Sequence, residues 1–249
     1  MTAIGHVRAR PLVELVNPSF EGDLVTVAQD CPAQKASGAG PLGWTPYYRC
    51  RVDGDEQGLN NAPEFKQSLN MFNPERVRSG DAALMYFSFW ARNESAGVFQ
   101  TVPVTNGNWL RFGVWAQMWT TDCDPSQFDP PQVTSFYEAG NLKARVCIDT
   151  DGAPLDWDAG TVCSPWLREG GWDRYAPLSV MAQAQSDEVL VLVNTWAQWN
   201  VKHNDTYIDD ATLELVDAPV ISGTHRVFAP FAVRDAFVHI SEWPRCPVH

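Results

Sequence analysis

Apolar and polar residues alternate with a period of two along most of the chain, and the 3.6-residue period of an amphipathic helix is nearly absent. Strands are predicted near residues 12–16, 83–92, 97–104, 109–119, 142–149, 174–183, 188–196 and 206–216, with turns of Gly, Pro, Asn and Asp between them. That series argues for an all-β fold, an antiparallel β-sandwich of jelly-roll type. Long polar insertions at 22–75, 121–141 and 150–172 carry many of the Pro, Gly and Cys residues, and loops of such length are more often functional than decorative. After Asp217 the pattern changes. The expected organisation is one jelly-roll domain over 1–217 and a C-terminal extension, 218–249, that packs on the sandwich or on a partner and is too short to be a domain of its own.

Alternation also sorts the side chains by face. In the stretch "WLRFGVWAQMW", Leu110, Phe112, Val114, Ala116 and Met118 form an apolar side, and Trp109, Arg111, Trp115, Gln117 and Trp119 lie opposite. In "ALMYFSFWAR", Met85, Phe87 and Phe89 form the apolar side, while Tyr86, Ser88, Trp90 and Arg92 form a mixed one. Asn194, Trp196 and Gln198 share a side of another strand, and Arg145 stands opposite Ala144 and Val146. A solvent-facing sheet usually carries Thr, Lys, Glu and Ser, so faces of Trp, Tyr, Arg, Gln and Asn call for an account. Rings that stack on the C–H faces of sugars, interleaved with planar hydrogen-bonding groups for the hydroxyls, give one. Loops that fold over these faces and bury them as a second core layer give the other.

Composition narrows the partner. The chain has 249 residues, 45% of them hydrophobic, which suffices for a core. A net charge of −12 repels phosphate backbones and anionic membrane surfaces, so no nucleic acid partner is expected. Membrane insertion is not expected either, because no run of about 18 apolar residues occurs. Eleven tryptophans exceed what packing in a domain of this size needs. The six cysteines contain no C-x-x-C pair, which removes the usual zinc and redox spacings, and their even number leans towards an oxidising compartment, hence an extracellular or cell-surface location. Proximity in sequence makes Cys31–Cys50 the first pairing to expect. Two glycosylation sequons, at Asn93 and Asn204, are patterns that arise often by chance.

Four stretches, "LVNPSFEG", "VRSGDAAL", "GVFQTVPVTNGNWLRFGVWAQ" and "TYIDDATLEL", stand in the order found in carbohydrate-binding modules of the galactose-binding-like jelly-roll fold, which this chain resembles over roughly residues 12–216. The resemblance implies a β-sandwich, a structural calcium ion away from the sugar site, and glycan binding on a sheet face or at loops along its edge. The long insertions and the cysteines depart from the family pattern.

Calcium has an argument from the residues as well. The ion takes six to eight oxygens from carboxylates and loop carbonyls. Glu21 follows the first expected strand, and by alternation Asp209 points inward with Ala211 and Leu213, where a lone carboxylate is costly. The resemblance adds carbonyls near Ser79 and Asp81, so the expected site is Glu21, Ser79, Asp81 and Asp209. Backbone N–H bonds or an arginine are the alternative partners for Asp209.

Three functional classes follow. The first is non-catalytic binding of a polysaccharide or other glycan, through Trp90, Arg111, Trp115, Gln117, Trp119, Arg145, Asn194 and Trp196 on the faces and Trp199 and His203 at the sheet edge. The second is an extracellular structural protein that self-assembles as a homo-oligomer through the same fold, since aromatic faces also build interfaces. An enzyme is the third. It lacks support, because the chain has no nucleophile elbow, no H-E-x-x-H and no evident acid/base carboxylate pair on one strand.

Overall fold

The computed structural model describes residues 12–28, 37–123, 135, 139–152 and 160–219. The extension from 220 onward lies outside the described residues. In chain order the strands are β1 (Leu24–Ala28), β2 (Ser37–Pro41), β3 (Thr45–Tyr48), β4 (Glu64–Leu69), β5 (Ala82–Ser88), β6 (Ala96–Pro103), β7 (Trp109–Thr121), β8 (Lys143–Asp149), β9 (Thr161–Cys163), β10 (Ala176–Gln183), β11 (Glu188–Trp196) and β12 (His203–Val216).

Two five-stranded antiparallel sheets pack face to face. The first has the order β10-β7-β12-β5-β4, the second β3-β6-β11-β8-β9, and β1 and β2 form a separate hairpin. Period-two burial builds the core between them: Leu110, Phe112, Val114, Ala116 and Met118 of β7 meet Val189, Val191 and Val193 of β11 and Ala144, Val146 and Ile148 of β8. The fold class is thus the all-β antiparallel sandwich that the alternation implies.

Seven of the eight expected strands are present. The segment 12–16 makes an isolated bridge, Leu12 with Glu214. Further along, the Gln100 side chain takes over its backbone partners: the amide accepts from Val16 N–H at 2.8 Å and donates to the Val16 carbonyl at 3.0 Å. The insertions hold more strand than expected, since β1 to β4 lie within 22–75 and β9 within 150–172. Those strands are short or built on polar and small residues, as in "SGAGP" and "EFKQSL", and show little apolar alternation.

The face assignment of β5 is corrected. Leu84 and Tyr86 point into the core, with Tyr86 stacked on Phe65 at 5.3 Å, while Met85 and Phe87 point outward. Tyr86 is large and apolar enough to be core, and the ammonium of Lys66 lies over the outward Phe87 ring, 4.3 Å from its centroid.

Candidate functional site

The expected binding residues divide between two sheets. Arg111, Trp115, Gln117 and Trp119 sit on β7 in the first sheet, whereas Arg145 on β8 and Asn194 and Trp196 on β11 sit in the second. The sandwich core separates them, so the single platform expected across three strands is not formed. Trp90 follows β5 at a sharp corner (φ 51°) and is exposed.

On the outer face of the first sheet the rings are buried. The loop after β4 carries a 3-10 turn, Pro74–Arg76, that lays the Arg76 guanidinium 5.2 Å from the Trp119 ring and 5.1 Å from the Tyr207 ring. Arg76 is 4% exposed, Trp119 8% and Gln117 1%. His203 stacks on Trp119, its ring centroid 4.3 Å away, and Phe89 meets His203 edge-on at 4.9 Å. Asp205 lies beneath, 3.6 Å from His203 Nδ1, with its carboxyl pushed up by burial although His203 and Arg76 pull the other way. Trp115 is half-buried under Arg78 at 4.0 Å, and Arg111 pairs with Glu214. Here Trp119, Gln117 and His203 are buried beneath the loop as a second packed layer. Trp199 is half-buried and its carbonyl accepts the Asn204 amide at 3.0 Å.

The outer face of the second sheet is different. Strand register places Tyr47, Gly97, Asn194 and Arg145 in one row across β3, β6, β11 and β8, with Phe99 in the next row and Trp196 paired with Lys143 beyond. Gly97 makes room: a Cβ there would run into the Val193 carbonyl and touch the Tyr47 ring. Asn194 is 2% exposed, and its Oδ1 accepts the hydroxyls of Tyr47 at 3.0 Å and Ser95 at 2.9 Å. The Arg145 guanidinium lies 4.3 Å from the ring of Trp166, in the segment after β9. Lys143 runs between two indoles, its ammonium 4.8 Å from Trp166 and 4.1 Å from Trp196. Burial lowers the Arg145 guanidinium from its usual range and raises the Tyr47 phenol. Tyr47, Phe99, Arg145, Trp166 and Trp196 are all half-buried, so each keeps part of its surface open. Alternation within β8 and β11 points to Arg145, Asn194 and Trp196, but Tyr47, Lys143 and Trp166 were missed. Tyr47 and Trp166 lie in segments read as loop.

The residues expected around calcium converge on one loop. Asp209 is fully buried, and its carboxylate accepts the N–H groups of Arg78 at 3.0 Å, Ser79 at 3.1 Å and Asp210 at 2.8 Å. Burial and the neighbouring Asp210 push it up to about 6 against those bonds. From the other side Glu21 Oε1 accepts Asp81 N–H at 3.0 Å, over Gly80, where a Cβ would strike the Glu21 carboxylate. Among the described residues no three His, Cys, Asp or Glu side chains gather to hold a metal ion. A cation here would draw on the Glu21 and Asp209 carboxylates together with loop carbonyls, a set of hard oxygens that suits calcium.

Both sequon asparagines are structural. Asn93 donates to the Asn61 carbonyl, and Asn204 donates to the carbonyls of Ala91 and Trp199 while accepting from Thr120. Cys147 and Cys163 pair across β8 and β9. No helix among the described residues is long and apolar enough to cross a membrane.

No family model matches the chain, and no curated protein matches it. Solved structures similar to it include TmCBM61 in complex with β-1,4-galactotriose, at 12% identity, 70% of this chain, 90% of that one and a TM-score of 0.43. Another is the C-terminal family 22 carbohydrate-binding module of Clostridium thermocellum Xyn10B, at 12% identity, 83% of this chain, 99% of that one and a TM-score of 0.41. A third is the arabinose-bound MgGH51 α-L-arabinofuranosidase, at 9% identity, 82% of this chain, 26% of that one and a TM-score of 0.43.

Proposed function

We propose that the protein is a non-catalytic glycan-binding module and that the outer face of the second sheet is where the glycan lies. The observation that carries this reading is the half-open set of Tyr47, Phe99, Trp166 and Trp196 around Arg145. Rings of this kind offer flat apolar surface to sugar C–H groups, and the guanidinium offers paired donors to hydroxyls. The hydrogen bond from Tyr47 to Asn194 and the stacking of Lys143 and Arg145 on indoles fix these groups before a ligand arrives, which lowers the ordering cost of binding. A few rings at about 0.5–1.5 kcal/mol each give micromolar to millimolar affinity, as suits a module that acts by tethering or avidity. The Cys147–Cys163 disulfide supports an extracellular or cell-surface setting. A structural calcium ion between Glu21 and Asp209 belongs to the same proposal, with the burial of Asp209 as its support.

The test is affinity electrophoresis of the wild-type chain and of Trp166→Ala and Trp196→Ala through gels loaded with different soluble polysaccharides, with thermal melts of each variant. Folded variants that migrate unretarded where the wild type is held back are the expected result. Retardation unchanged in both folded variants would move the site elsewhere.

A further inference from the structure

We infer that Ser164 is a positioning residue for Trp166: its hydroxyl closes a β-bulge that turns the indole away from the core and onto the ligand face. The inference rests on the reading of that face as the glycan site. β9 pairs with β8 from Asp149–Thr161 to Cys147–Cys163, and Ser164 continues the register, its N–H donating to the Val146 carbonyl at 2.9 Å. The next pairing is Ala144 with Leu167, which exchange both backbone bonds, at 3.0 and 2.7 Å. Two steps along β8, from Val146 to Ala144, thus face three steps along the partner segment, from Ser164 to Leu167. The extra residue makes Pro165 and Trp166 stand together opposite Arg145, which is a β-bulge. Proline, with no N–H to give to the ladder, is admitted at such a place.

The bulge decides which side chain faces the ligand. Cys163 lies on the outer face, bonded to Cys147 in a cluster with Tyr47 and Phe99. Counted from there by strict alternation, Trp166 would point to the core and Leu167 outward. The structure has the reverse. The Trp166 ring lies 4.3 Å from the Arg145 guanidinium and 4.8 Å from the Lys143 ammonium, while Leu167 packs against the core. One inserted residue has flipped the parity of the segment.

Ser164 holds the bulge shut. In a regular antiparallel pair the Val146 N–H would donate to the Ser164 carbonyl. Here it donates to Ser164 Oγ at 3.2 Å, and the hydroxyl in turn donates to the Pro165 carbonyl at 2.9 Å. The side chain stands in for its own carbonyl in the ladder and at the same time fixes the peptide that leads into Trp166. Ser164 is buried, so its loss would leave the Val146 N–H without an acceptor away from water. Upstream, the Cys147–Cys163 disulfide locks the register from which the bulge is counted, a register that β9, three residues long, secures weakly by pairing alone. A slip of one residue there would undo the flip. The other pairing expected from sequence, Cys31 with Cys50, involves a cysteine outside the described residues.

The experiment compares full-length, unreduced Ser164→Ala, Ser164→Thr and the Ser164→Ala/Trp166→Ala double variant with wild type, in gels loaded with a polysaccharide that holds the wild type back. Ser164→Ala should fold and lose about two- to tenfold in affinity, the worth of one stacked ring. In the Trp166→Ala background it should cost nothing further, because its effect runs through the indole. Ser164→Thr keeps the oxygen and should bind as wild type does. Undiminished affinity in Ser164→Ala, or losses that add in full, would overturn the inference. Should Ser164→Ala not fold, Ser164→Thr against Ser164→Val repeats the comparison with nearly one shape, and equal affinities of that pair overturn it. Amide exchange reads the bulge with no glycan present: the Val146 N–H should exchange faster in Ser164→Ala, while Val191 and Val193 of β11 keep their protection. Unchanged exchange at Val146 counts against the bulge. If wild type and Trp166→Ala are retarded equally, the glycan reading of this face fails, and the exchange result still decides whether Ser164 closes the bulge.

Discussion

The indole of Trp119 and the imidazole of His203 stack with their centroids 4.3 Å apart and their planes 23° from parallel, both of them at least nine-tenths buried. The two residues come from neighbouring strands, His203 paired with Thr121 and Trp119 with Asp205, and the Arg76 guanidinium lies 5.2 Å from the indole. Removal of the indole would leave a void beneath Arg76 that the sheet cannot fill. Trp119→Ala should therefore lower stability by about 3–5 kcal/mol. Urea denaturation of this variant beside Trp196→Ala checks the contrast. If Trp119→Ala is as stable as wild type, the stack is not part of the packed layer.

Asn204 is a second packing device. Its side chain joins β12 to the Ala91 and Trp199 carbonyls and to the Thr120 hydroxyl, from a position 6% exposed. Asn204→Ala strands those partners in the interior and should cost on the order of 2–4 kcal/mol. The same geometry governs glycosylation. In a glycosylating host, the folded fraction should carry unmodified Asn204, which peptide mass analysis reads directly; a glycan there on folded protein would contradict the burial.

Asp149 sets a pH dependence. The residue is fully buried at the end of β8, and burial, with Asp151 close by, pushes its carboxyl up to about 6 although the Thr161 hydroxyl donates to it at 3.0 Å. The folded state thus binds its proton more tightly than the unfolded chain, for which the usual value is about 3.9. Its contribution is fully present below about pH 4 and is lost as pH rises through about 6, at roughly 1.4 kcal/mol per unit of difference. Asp149→Asn should flatten the melting-temperature profile between pH 4 and pH 7 and raise the melting temperature at pH 7.5. A variant profile parallel to that of wild type would remove Asp149 as the cause.

Calcium is the remaining test. An ion bound only by the folded state raises stability by mass action. Excess EDTA should lower the melting temperature, added calcium should restore it, and Glu21→Gln should abolish the difference. Unchanged melts with and without chelator, together with no calcium by elemental analysis, would leave Asp209 to its three backbone N–H groups alone.

The sequence by itself determined the sandwich. Period-two alternation in β7, β8, β10 and β11 reflects a purely local constraint, that successive side chains of a strand point to opposite faces, and it named the core side of β7 and the outward side of Arg145, Asn194 and Trp196. The strands in the insertions escaped it, because β2 and β4 are held by backbone pairing and turn geometry and carry few apolar residues to alternate. Alternation also says nothing of which strands share a sheet. Arg145, Asn194 and Trp196 were grouped with Trp115 and Trp119 for their chemistry, and strand order put them on opposite sides of the core. Nor does it say what covers a face. That depended on a loop distant in sequence, whose Arg76 seals Trp119 and Tyr207, and on the pairing of β3 with β6, which brought Tyr47 to Asn194 across a separation of 147 residues. Local periodicity is written in neighbouring residues, whereas sheet order and face coverage arise from contacts made once the chain has closed on itself.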